Sequence, residues 1–112
     1  MSTGADLREM SRQALTDGTR RWFSPAKAER YGEETWWDGS NHVSSATGSQ
    51  WDHEELYRTA AGRWILHWWS QWQGSQDRWE EVSDEFAAGW LVKCEHEPHQ
   101  ACAEAYAELE IV

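Results

Sequence analysis

Turn residues divide the middle of the chain into short segments rich in aromatic residues, and apolar positions recur at helical spacing towards its end, a pattern that predicts strands first and helices after them. Trp51 to Thr59 reads as a strand, Ala60-Ala61-Gly62 as a short turn, and Arg63 to Trp69 as a second strand with Trp64, Leu66 and Trp68 on one face and Ile65, His67 and Trp69 on the other. A strand that is apolar on both sides belongs in the centre of a sheet covered on both faces. Gln73-Gly74-Ser75-Gln76 then turns the chain into a strand from Arg78 to Val82. Upstream, Glu33 to Trp37 and His42 to Ala46 flank Asp38-Gly39-Ser40-Asn41, whose turn chemistry predicts a hairpin.

The remaining elements are shorter. Leu7, Met10, Ala14 and Leu15 lie at helical spacing between Ala5 and Thr16, before a stop at Asp17-Gly18, and predict a marginal helix or a flexible arm over residues 1–19. Arg20 to Phe23 reads as a short strand, and Ser24-Pro25 as an N-cap with Pro at the first helical position, opening a short helix to about Arg30. Ser83 is a second N-cap, with Phe86, Ala87, Trp90 and Leu91 forming one face of a helix to about Lys93. A last helix starts near Pro98 and carries Ala101, Ala105, Tyr106 and Leu109. The whole predicts one α+β domain over residues 20–112, an antiparallel meander of about five strands with the C-terminal helices packed on one face.

Composition sharpens this picture. Ten of 112 residues are tryptophan, nine of them between Trp36 and Trp90 where aliphatic residues are few, so the core is expected to be built largely of indole rings. The net charge is −10, and it is unevenly placed: residues 1–30 carry a small positive excess, whereas residues 31–112 hold sixteen acidic and four basic side chains. An acidic body repels a phosphate backbone and argues against direct nucleic-acid binding. It would attract a basic protein partner, including a groove that otherwise holds nucleic acid. The longest apolar run, Trp64 to Trp69, is too short to span a bilayer. With no secretory pattern at the N-terminus, the expected setting is cytoplasmic and away from membranes.

Candidate chemistry falls into four groups. Ser49-Gln50-Trp51 recurs as Ser70-Gln71-Trp72; if the two copies converge, Gln50, Gln71 and Gln73 would sit among Trp51, Trp69 and Trp72, with His53 on the neighbouring strand, as in a ligand or peptide pocket. The plainer alternative is that the indoles fill the core while the glutamines satisfy strand ends. Glu80, Glu81, Asp84 and Glu85 form an acidic stretch suited to a basic partner. Cys94, His96, His99 and Cys102 place four zinc-type ligands within nine residues, although the spacing matches no recognised finger or ribbon, and the alternative is an ordinary loop with two free thiols. His42, His53 and His67 are the plausible bases, but Asp52 and Glu54 should point away from His53 on a strand, which argues against an enzyme.

Trp69 to Ser75, Thr47 to Trp51 and Leu56 to Thr59 carry a resemblance to small Trp-rich bacterial proteins of plasmid, phage or other accessory regions, over roughly residues 22–93. The resemblance implies no activity; it implies a bacterial cytoplasmic setting and products that modulate host machinery. Two functional expectations stand: an interaction protein that inhibits or regulates a partner, and a small-ligand domain with a Trp/Gln-lined pocket. Surplus indoles could also bury against a second copy as a homodimer.

Overall fold

The structure, a computed structural model, describes residues 12–111. Its centre is a four-stranded antiparallel sheet made of β3 (Glu29–Tyr31), β6 (Asp52–Arg58), β7 (Trp64–Ser70) and β8 (Arg78–Val82), in the order β3-β6-β7-β8. Two separate two-stranded sheets accompany it, β1 (Gln13–Ala14) with β2 (Trp22–Phe23) and β4 (Thr35–Trp37) with β5 (His42–Ser44). The helices α1 (Asp84–Lys93) and α2 (Ala103–Glu108) follow. The α+β class with antiparallel sheets and late helices is as expected; the single five-stranded meander is not.

β7 is the central strand. Leu56 on β6 lies opposite Leu66 on β7, and Leu66 opposite Glu80 on β8, so alternate residues of the three strands share a face. On one face Leu56, Trp64 and Leu66 meet Ala87, Ala88, Trp90, Leu91 and Cys94 of the α1 segment, together with Cys102. On the other, Tyr57, Ile65 and Trp79 meet Leu15 and Phe23 of the N-terminal hairpin. Both faces of β7 are covered, which is why its apolar run has no polar alternation.

Ser83 caps α1 by accepting from the Phe86 amide. The buried stripe then runs through residues 87, 90, 91 and 94, the i, i+3, i+4 spacing of one helix face. Phe86 lies a step round from it and is exposed, as is Leu109 beyond α2, so neither joins the core as expected. Ala101 is exposed too, while Ala105 and Tyr106 pack against the core.

Three expectations need correction near the N-terminus. Residues 5–11 of the proposed first helix lie outside the described residues, but Gln13–Ala14 is a strand and Leu15 is buried, so residue 15 belongs to the core. The helix expected from Ser24 to about Arg30 is only one 3-10 turn, Pro25–Lys27, because Glu29 to Tyr31 pair instead with Arg58 to Leu56. The β4–β5 hairpin stays out of the main sheet. The edge of β6 beyond β3 is occupied by side chains: Glu33 accepts from the Glu54 amide at 3.0 Å and Thr47 donates to the Asp52 carbonyl at 2.7 Å. Backbone groups satisfied in this way leave no ladder for a fifth strand.

Candidate functional site

The Ser-Gln-Trp echo has a structural origin. In each copy the serine Oγ accepts from the amide of the tryptophan two residues on, Ser49 from Trp51 at 2.9 Å and Ser70 from Trp72 at 3.2 Å. These are serine turns at adjacent strand ends. Because Asp52 pairs with Ser70 across β6 and β7, and the Gln71 amide donates to the Trp51 carbonyl, the turns converge and bring the Trp51 and Trp72 rings to 5.1 Å. The serines, rather than Gln50 and Gln71, hold the local backbone.

Both rings face water, and so do Trp36 and Trp37 on β4. These four indoles are between 42 and 61% exposed. Trp51 also lines, with Gln50, Asp38 and Asn41, a depression of about 280 Å³ beside the tip of the β4–β5 hairpin. That volume falls just below the range of ligand pockets, roughly 300 to 1,000 Å³. Between Tyr31 and Tyr57 the sequence has six acidic residues and no lysine or arginine. Glu33, Glu54 and Glu55 are engaged within the fold, which leaves Glu34 and Asp38 as the exposed carboxylates of this stretch.

Trp69 does not join this pair. It stacks between His53 at 5.5 Å and His67 at 4.7 Å, and His67 stacks in turn on Trp79 at 3.6 Å, giving a column of rings across three strands. Polar partners hold the column. His53 Nδ1 lies 2.7 Å from Glu33, which also accepts from the Ser44 hydroxyl and so ties the β4–β5 hairpin to β6. His67 lies between Glu55 at 3.0 Å and Asp77 at 2.8 Å. Glu55 further accepts from Tyr57 Oη and Arg30 Nε. Burial alone would push the Glu55 carboxyl up, but the hydrogen bonds from His67, Tyr57 and Arg30 together hold it down at about 2. Burial and the Glu55 carboxylate push Tyr57 up to about 12. Every member of this cluster is engaged by another, which is the arrangement of a structural network.

Glu54 faces the opposite way from His53, as the strand alternation required, and accepts from Trp90 Nε1 at 3.0 Å. Of the acidic stretch, Glu81 is held between Arg21 and Arg63, and Asp84 accepts from Trp64 Nε1 at 2.9 Å. Glu81 and Asp84 thus already have partners within the chain, and Glu80 and Glu81 lie on opposite faces of β8.

The four zinc-type residues are not brought together, and among the described residues no three His, Cys, Asp or Glu side chains are grouped to hold a metal. Cys94 and Cys102 are buried free thiols in the core against α1. His96 Nε2 lies 2.6 Å from the Gly32 carbonyl, and its ring stacks on Trp90. His99 accepts from the Ala101 amide, capping the 3-10 turn Gln100–Cys102. Each has its own local role. Among the described residues no helix is long and apolar enough to cross a membrane.

No protein family, curated protein or solved structure matches this chain.

Proposed function

We propose that this is a non-catalytic interaction protein that binds a partner through its exposed indole edge and thereby blocks or regulates it. The observation that carries the reading is the convergence of the exposed Trp51 and Trp72 rings beside the tip of the β4–β5 hairpin, on which Trp36 and Trp37 are exposed as well. Solvated indoles gain most when a partner covers them, and tryptophan is enriched among residues that dominate binding energy. The exposed Glu34 and Asp38 carboxylates and the net charge of −10 favour a partner with a basic surface, including one that otherwise holds a nucleic-acid backbone.

The test is capture from lysate by the immobilised protein and by its Trp51→Ala/Trp72→Ala variant, with partners identified by mass spectrometry. A basic protein retained by the parent, lost from the variant and released as salt approaches ~1 M, where screening acts within about 3 Å, supports the proposal. Identical captured sets for parent and variant overturn it.

A further inference from the structure

A cavity of about 570 Å³ opens between the β1–β2 hairpin and the β6–β7 turn, and it has the opposite electrostatic character from the rest of the molecule. Arg20, Arg21, Lys27 and Arg63 line it, against Glu81 as its single acidic residue. That is four of the chain's ten basic side chains in one cavity of a protein whose net charge is −10. Glu81 does not neutralise them all. It accepts from Arg21 at 2.7 Å and from Arg63 at 3.0 Å, Arg21 being paired with Asp17 at 3.4 Å as well, whereas Arg20 and Lys27 form no ion pair among the described residues.

The rest of the lining is apolar. Leu15, Phe23 and Ile65 form part of it, and the half-exposed Trp22 ring, with the Arg12 guanidinium 5.0 Å from its centroid, adds a flat aromatic wall. Ser24, also in the lining, keeps a buried hydroxyl with no hydrogen-bond partner. Arg20 itself sits at φ 64°, in the left-handed region that favours glycine. The turn between β1 and β2 imposes this backbone conformation, and Gly18 in the same turn is also at positive φ.

The geometry points to a binding site for a small organic anion, one phosphate or carboxylate head on a planar apolar body. The head sits among Arg20, Lys27 and the Arg21–Arg63 pair, and the body lies against Trp22 over Ile65. The site shares no residue with the indole edge and stands independently of it.

Calorimetric titration of the full chain with 1-naphthyl phosphate, inorganic phosphate and 1-naphthol tests this. Naphthyl phosphate is expected to bind at least tenfold tighter than either fragment. Arg20→Gly/Lys27→Gln should weaken it roughly a hundredfold, about tenfold for each charged donor removed, while the melting temperature holds or rises because glycine relieves residue 20. Trp22→Ala should lower the affinity towards that of inorganic phosphate. No binding of naphthyl phosphate, equal affinity for 1-naphthol, or unchanged binding in the double variant would overturn the assignment.

Discussion

Replacing Glu55 by glutamine should destabilise the fold at mild pH and progressively less so in acid. Glu55 lies under the N-terminal side of the sheet with its side chain 9% exposed, accepting from Tyr57 and Arg30 and lying 3.0 Å from His67 Nδ1. With a folded value of about 2 against 4.5 for the free carboxyl, the folded state holds the proton less tightly than the unfolded one. A carboxylate depressed in this way contributes stability that is fully present above the unfolded value and is lost as pH falls towards the folded one. At 1.36 kcal/mol per unit, the contribution is roughly 3 kcal/mol at pH 5 and roughly 1 kcal/mol at pH 3. The stability gap between the parent and Glu55→Gln should therefore narrow by about 2 kcal/mol between those pH values. Arg30, with 61% of its side chain exposed, is screened by solvent and salt, so most of the effect rests on the buried His67 and Tyr57 contacts. Denaturant unfolding of both proteins at pH 5 and pH 3 reads the double difference directly. A gap that stays constant would refute the idea that these hydrogen bonds hold the carboxylate charged.

Further expectations rest on other parts of the structure. Ser83→Ala removes the cap on the Phe86 amide and should cost about 1 kcal/mol by denaturant unfolding. Leu56→Ala opens a cavity at a fully buried site between the sheet and α1 and should cost roughly 2 to 5 kcal/mol, visible as a large drop in melting temperature. Burial pushes the Cys94 thiol up to about 12 and raises Cys102 as well, so neither should react with a disulfide reagent at pH 8 in the native protein, whereas both should titrate in denaturant. Trp51→Ala and Trp72→Ala should each change stability by less than about 1 kcal/mol, since both rings are exposed, and so separate binding from folding.

The elements that could be read from sequence were those whose own pattern decides them. β6, β7 and β8 are strand-length segments bounded by clear turns, β7 with an apolar run, and α1 has a cap and an apolar stripe. The elements that could not were decided by distant partners. Ser24-Pro25 does open a helical turn, but the pairing of Arg30 with Tyr57 ends it within three residues. Leu15 has helical neighbours in sequence, yet its amide donates to the Arg21 carbonyl and its side chain is buried with Phe23 and Trp79. The separation of β4–β5 from the sheet depends on where the Glu33 and Thr47 side chains land, which no periodicity encodes. The Ser-Gln-Trp convergence was legible because an echo at two strand ends is a register signal. The basic cavity was not: Arg20, Arg21 and Lys27 looked like a mildly basic lead-in, and only the fold brings Arg63 and the β6–β7 turn to them.

The division of labour among the indoles bears most directly on function. Trp64, Trp79 and Trp90 are buried, and two of them donate their ring N–H to a carboxylate, Trp64 to Asp84 and Trp90 to Glu54. A buried indole needs such an acceptor, and two carboxylates of this acidic chain have that internal use. Trp68 and Trp69 are partly covered, Trp69 within the histidine column. The two core clusters close with Trp64, Trp79, Trp90 and the aliphatic residues around them, and none of Trp22, Trp36, Trp37, Trp51 or Trp72 belongs to either. Folding therefore accounts for half of the tryptophans and leaves the other half exposed. Single exposed apolar residues are ordinary, but the five uncovered rings are not scattered evenly in chemical surroundings. Trp51 and Trp72 meet beside a depression that Asp38 also lines, whereas Trp22 lines the cavity that holds Arg20, Arg21, Lys27 and Arg63. If both proposals hold, the two sets of rings serve different ligands, and Trp51→Ala/Trp72→Ala should leave naphthyl phosphate binding unchanged while Trp22→Ala leaves partner capture unchanged.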